Sequence, residues 1–207
     1  MRILLLGPPA SGKGTIGRLL SDYFNIPVIS VGKFLRGITP DSSHYELVQE
    51  VMAKGELVPN DLLGKILSDK VKDSRYENGY IVEGWGRQLS DLKYFDPDPH
   101  VVILLDVTKK TSWERTSNRR VCKAQGHTYN YLYNPPKKEG KCDIDGSELI
   151  IRTDDNKETF ERRWEVHQQN TTKTIDYYRK KGKLVEISAE SSPAQIFADI
   201  KQKLGAK

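Results

Sequence analysis

The sequence predicts an α/β fold, a parallel sheet covered by helices on both faces, and three observations carry that expectation. Five short runs rich in Ile, Leu and Val lack the alternation of a half-exposed strand, the pattern of strands buried on both faces. Helix-like segments lie between them, the alternating order that parallel pairing requires. A glycine-rich stretch, "GPPASGKGT" at residues 7–15, links the first apolar run to the first helical one.

In chain order, strands are expected at 2–6, 27–30, 80–83, 101–106 and 183–187. Helices are expected at 14–23, 43–53, 61–72, 110–120 and over one long stretch at 155–181. A final helix starts after Ser192-Pro193, with serine as cap and proline in the first turn. Two stretches interrupt the alternation. Residues 31–58 place small helical pieces between two strands, and 121–153 carry "GHTYNYLYNPPKKEGKCDIDG" in hairpin-like spacing. Long excursions of this kind in a compact domain are lids or binding loops.

At 207 residues the chain suits one core with small inserts, and it has no internal repeat. Mean hydropathy is −0.61 and no apolar run exceeds strand length, so no membrane partner is expected. The opening apolar run stops at Gly7-Pro8-Pro9, too early for a secretory signal, which points to a cytoplasmic chain. A net charge of +5 suits phosphate-bearing partners. The arginines are dispersed rather than gathered in a stripe, so nucleic acid is not the expected partner. Two cysteines, Cys122 and Cys142, exclude a disulfide scaffold.

Gly7, Gly12, Lys13, Gly14 and Thr15 form a phosphate-loop pattern in which Gly14 separates the lysine from the hydroxyl. Backbone N–H groups at the start of a helix, with Lys13 as a mobile cation, make a cradle for nucleotide phosphates. Arginines, the cations suited to two-point phosphate contacts, are spread over several segments of the chain. The helix reading puts Arg115 and Arg119 four apart on one face.

"LLLGPPASGKGT", "RRVC", "YNPPKKEGKCD" and "IRTDDNKETFERR", in this order and spacing, resemble the adenylate kinase family, specifically its long-lid type, over Met1 to about Leu204. The resemblance implies a P-loop kinase fold with a five-stranded parallel sheet flanked by helices. Its core is 1–29, 59–120 and 156–207, its nucleoside-monophosphate-binding insert 30–58 and its lid 121–155. The activity implied is that of a phosphotransferase of nucleotide biosynthesis, moving phosphate reversibly from ATP to AMP, with Mg²⁺ as cofactor and a monomeric chain. Among the site residues implied, Ala10, Ser11, Gly12, Lys13, Gly14, Thr15, Arg115, Arg119, Thr128, Tyr129 and Ser191 bind ATP. Val31, Arg36, Glu56, Leu57, Val58, Gly84, Arg87, Asp91, Arg152 and Arg163 bind AMP. Lys13, Arg87, Arg119, Arg152, Asp154 and Arg163 serve the transfer, and Thr15 and Glu83 orient magnesium largely through water.

Several positions depart from the family pattern. Glu83, Trp85 and Gly86 stand where the family has aspartate, phenylalanine and proline; Val31 and Lys33 replace threonine and aspartate; Asn130 replaces a histidine near the donor base. Asp91 stands where a glutamine usually pairs with adenine. A carboxylate only accepts hydrogen bonds, which would match the adjacent donors of guanine and leaves GMP or another monophosphate open as acceptor. A nucleotide sensor without turnover is the rival from another class. In the lid, Cys122, Cys142 and Asp145 match three ligands of the zinc-bearing relatives, Gln125 stands at the fourth, and His127 could replace it. A metal-free lid held by hydrogen bonds is the alternative.

Overall fold

The computed structural model describes residues 1–205; the last two positions of the expected core range 156–207 lie outside the described residues. Its centre is a parallel sheet of β1 (Arg2–Leu6), β2 (Val28–Ser30), β3 (Tyr80–Glu83), β4 (Val101–Asp106) and β8 (Leu184–Ser188), in the order β2-β3-β1-β4-β8. Leu4 lies opposite Val82 on one side and Val102 on the other, so β1 is central. The strands bury both faces. Ile3, Leu5, Ile81, Ile103 and Leu105 meet Ile16 and Leu20 of α1 (Lys13–Phe24) and Ile196 and Ile200 of α8 (Pro193–Lys203). Leu4, Leu6, Val82, Val102 and Leu104 meet Leu63 and Leu67 of α4 (Asn60–Lys70) and Ile175 and Tyr178 of α7 (Thr172–Lys180). Every second residue of a strand serves a different helical layer, which is why the runs are apolar throughout.

The chain winds to β2 and β3 on one side of β1, then crosses to β4 on the other. Such a reversal opens a crevice at the carboxyl ends of the strands. Two excursions border it. The first holds α2 (Val31–Arg36) and α3 (Tyr45–Ala53). The second is an antiparallel sheet of β5 (Arg119–Cys122), β6 (Thr128–Asn130) and β7 (Leu149–Ile150), with β5 central. Cys122, Tyr129, Cys142 and Leu149 form its own small core.

Two helix expectations need correction. The helix expected at 110–120 is α5 (Lys109–Ser117), and Arg119 opens β5, so Arg115 and Arg119 do not share a helical face. Pairing of Arg119 with Asn130 and of Val121 with Thr128 and Ile150 overrides local helical preference. The stretch 155–181 is divided into α6 (Lys157–Val166), a π-helical turn at His167–Thr171, and α7. Asn156 caps α6, its side chain accepting the Thr159 N–H at 2.8 Å. Ser192 caps α8 as expected, accepting from the Gln195 N–H.

Candidate active site

The phosphate loop leaves β1 at Gly7 and enters α1 at Lys13. Gly7 has φ 143°, and a Cβ there would lie 2.4 Å from the Leu105 carbonyl oxygen, so the loop can turn this close to β4 only with glycine. Ser112 of α5 donates to the Pro9 carbonyl at 2.5 Å and fixes the loop from the other side. No side chain caps α1 and no acid occupies its first turn, which leaves its first N–H groups available to an anion. Lys13 folds back over the loop, donating to the carbonyls of Gly7 at 2.8 Å and Pro8 at 2.7 Å.

Five arginines gather around this lysine. Burial pushes the Lys13 ammonium down to about 7, against the pull of Glu83, and Arg87, Arg119 and Arg163 push it the same way as burial. Burial and Arg163 lower Arg87, while burial, opposed by Asp154, lowers Arg163. Arg36 is open to the cleft, yet crowding by its walls and the charge of Arg152 lower it as well. Lys13, Arg36, Arg87, Arg119, Arg152 and Arg163 thus share one cleft with three carboxylates, Glu83, Asp154 and Asp155. The excess is positive, the condition that favours polyanions.

The carboxylates hold the arginines in place. Asp154 accepts from Arg152 Nε at 2.9 Å and Nη2 at 2.6 Å, and also pairs with Arg163. Burial would raise its acid, but these two guanidinium groups hold it well below the usual carboxylate range. Asp155, fully buried at its side chain, grips Arg119 in two places, with Nε at 2.8 Å. The sequence reading missed Asp155, which opens the expected helix 155–181 and there looks like an ordinary first-turn acid. Glu83, at the end of β3, accepts from the Ser30 hydroxyl through Oε1. Its other oxygen and the Thr15 hydroxyl, in the first turn of α1, suit the water shell of a magnesium ion, which prefers to keep its waters.

Among the residues expected at the donor, the Arg115 guanidinium lies 5.4 Å from the Tyr133 ring centre, and Asn130 donates to the Arg115 carbonyl at 2.9 Å. Tyr133 is half exposed and was not among the expected site residues. An arginine paired with an exposed ring offers two faces to a flat base. Thr128 and Ser191 are exposed, whereas the Tyr129 ring is buried in the lid core and its hydroxyl accepts the Asp143 N–H at 2.8 Å. Only the Tyr129 backbone is left for a ligand.

Among the residues expected at the acceptor, Gly84 places its Cα hydrogen against Val31 and Arg87: a Cβ there would lie 3.4 Å from Val31 Cβ and 3.7 Å from Arg87 Nη2. Val31 and Val58 are buried in the core, and Leu57 is half-buried. Glu56 pairs with Arg162 of α6 at 3.2 Å, and Thr159 of α6 donates to the Ala53 carbonyl at 3.0 Å, so the end of the first excursion rests on α6. Asp91 is 5% exposed, and its carboxylate accepts the Gln88 N–H at 3.1 Å as part of a reciprocal cap on the turn Leu89–Lys93.

The lid holds a second cluster. Cys122, His127, Cys142 and Asp145 each present a donor atom within 4.8 Å of the other three. Cys142 Sγ to His127 Nδ1 is 3.3 Å, Cys122 Sγ to Asp145 Oδ2 is 3.2 Å, and His127 Nδ1 to Asp145 Oδ2 is 3.5 Å. Bonds of about 2.0–2.3 Å to a tetrahedral zinc put its ligands about 3.5 Å apart, so the donor set fits. Two like turns build it. Gly126 N–H donates to the Cys122 carbonyl and Gly146 N–H to the Cys142 carbonyl, each at 2.8 Å. Gln125 contributes its backbone N–H to Cys122 Sγ at 3.3 Å. His127 of the first turn reaches Cys142, and Ser147 of the second reaches Cys122 at 2.9 Å.

Among the described residues, no helix is long and apolar enough to cross a membrane. The sequence profile of the adenylate kinase family matches residues 5–183. The chain is 35% identical to an adenylate kinase of Clostridium botulinum over 99% of both chains. It is 37% identical to an adenylate kinase of Caldanaerobacter subterraneus, covering 99% of this chain and 96% of the relative, and 36% identical to one of Thermosipho africanus, covering 97% of each. A match of this extent, on a parallel sheet whose carboxyl edge carries a phosphate loop ringed by arginines, shows that the chain belongs to the adenylate kinase family of phosphotransferases.

Proposed function

We propose that the chain catalyses the reversible transfer of the γ-phosphoryl group from ATP to AMP, giving two ADP. The observation that supports it best is the convergence of six cations from separate parts of the chain on one cleft. They are Lys13 of the phosphate loop, Arg36 of α2, Arg87 after β3, Arg119 of β5, Arg152 after β7 and Arg163 of α6. An oxygen of the AMP phosphate bonds to the γ-phosphorus as the bond from that phosphorus to the β,γ-bridging oxygen breaks. The acceptor is already an anion, so no general base is needed and the work is alignment and charge neutralisation.

Residues 10–15 and Lys13 hold the donor phosphates, with Arg115 and Tyr133 against the donor base. Arg36 and Arg87 hold the acceptor phosphate beside Val31, Leu57, Val58 and Gly84. Arg119, Arg152 and Arg163 face the transferring group, oriented by Asp155 and Asp154. Thr15 and Glu83 would hold the water shell of a magnesium ion, which would supply neutralising charge to the donor phosphates. Closure of the two inserts, 30–58 and 121–155, excludes water and suppresses hydrolysis. Cys122, His127, Cys142 and Asp145 would hold one structural zinc, which would stiffen the lid.

The test is ADP formation from Mg·ATP with AMP, GMP, CMP or UMP, against a control without acceptor. Preference for AMP is expected. Preference for another monophosphate, or ADP formed at the same rate with and without an acceptor, would overturn the reading.

A further inference from the structure

The loop that carries Arg87 takes an unusual path. Gly84 and Gly86 have φ 84° and 70°. The family's proline at position 86, with φ held near about −65°, cannot adopt that conformation. The loop therefore lacks the stiffening a proline gives, and glycine adds freedom on either side of Trp85. Something else must fix the residue that follows.

The peptide group joining Arg87 to Gln88 is held from both ends. Its carbonyl oxygen accepts the Thr171 hydroxyl at 3.0 Å, and its N–H donates to Asp91 Oδ2 at 3.1 Å. Both side chains are buried, at 4% and 5% exposure. Thr171 ends the π-helical turn His167–Thr171, between α6 and α7, so the inserted geometry of the helix carries this hydroxyl. Behind the loop, Trp85 Nε1 donates to the Phe95 carbonyl at 2.8 Å. The Arg87 Cα lies in the plane of this peptide, so holding the plane fixes the point from which the Arg87 side chain leaves the backbone.

We propose that Thr171 and Asp91 are positioning residues for Arg87: their side chains clamp the Arg87–Gln88 peptide and aim the guanidinium at the acceptor phosphate. This rests on the reading of Arg87 as the acceptor clamp. Asp91 is occupied by the backbone of the loop and does not choose the acceptor base.

The experiment compares steady-state kinetics of Thr171→Val, Thr171→Ser and Arg87→Ala, varying AMP and ATP separately. Valine keeps the shape and removes the donor; serine restores it. Thr171→Val should raise the KM for AMP about five- to tenfold, the size of a lost buried hydrogen bond, and leave the KM for ATP within about twofold. Thr171→Ser should stay within about twofold of wild type for both. In an Arg87→Ala background, Thr171→Val should add no further loss, because it acts through Arg87. Asp91→Asn, whose amide oxygen still accepts the Gln88 N–H, should leave the AMP-to-GMP preference unchanged.

A KM for AMP unchanged in Thr171→Val but raised in Arg87→Ala would overturn the positioning role and spare the clamp. An unaffected Arg87→Ala would overturn the clamp itself. Equal rises in both KM values would make Thr171 merely structural, and a shifted AMP-to-GMP ratio in Asp91→Asn would return Asp91 to base selection. If Thr171→Val fails to fold, Thr171→Ala carries the same comparison.

Discussion

Lys13 offers a prediction with a defined sign. Burial and the neighbouring arginines put its ammonium at about 7 in the ligand-free chain, where it rests on the carbonyls of Gly7 and Pro8. Donor phosphates bring several negative charges against the same nitrogen and raise its pKa well above that value. Binding must then take up protons wherever pH lies between the two values. At pH 8 about a tenth of free Lys13 is charged, so binding ATP should take up about 0.9 proton; at pH 6 about nine-tenths is already charged and uptake should fall to about 0.1. For the same reason ATP affinity should weaken about fivefold from pH 7 to pH 8. His167, pushed down to about 4 by burial and by Lys13 and Arg87, is neutral over this range in the free chain. Calorimetry of Mg·ATP binding without AMP, in Tris and in HEPES, reads the protons from the difference in apparent enthalpy. Equal apparent enthalpies in the two buffers at pH 8, meaning no uptake, would refute the reasoning, as would equal uptake by a Lys13→Gln variant.

The Asp155→Asn substitution keeps the shape of the group that grips Arg119 and removes its charge. Turnover should fall by about one to two orders of magnitude, approaching the roughly 10³-fold loss expected for Arg119→Ala, and stability by about 3 kcal/mol. Steady-state kinetics and thermal melting check this, and normal turnover would remove Asp155 from the site. For the lid, elemental analysis of the purified chain should find about one zinc per molecule, and a chelator or Cys142→Ser should lower the melting temperature by several degrees. A metal-free chain with an unchanged melt under chelation would leave the lid held by hydrogen bonds alone.

Local pattern made much of this legible. The five apolar runs mark both-face burial, which needs no knowledge of partners, and the phosphate loop announces itself through glycines and a lysine between strand and helix. The particular arginines could be nominated through the family resemblance, and phosphoryl transfer gives the reason such charge is needed. Contacts distant in sequence were hidden. Arg119 leaves the helix because strands at 128–130 and 149–150 capture it, and nothing within residues 110–120 records that pairing. Asp155 reads as a helix-start acid until its partner, 36 residues away, is in place. The bond from the Gln88 N–H to Asp91 was not legible, because it needs the loop in its folded path, and the π-helical turn at "HQQNT" has no composition of its own to betray it. His127 lay within reach of sequence reasoning because the ligand set needed a fourth donor.

The central claim is that two nucleotides meet in this cleft and exchange one phosphate. The most direct measurement is to give the chain Mg²⁺ and ADP alone and to follow the nucleotides by chromatography and phosphorus resonance. The account predicts ATP and AMP in equal amounts, with no inorganic phosphate. AMP with inorganic phosphate, or ADP left unchanged, would contradict it.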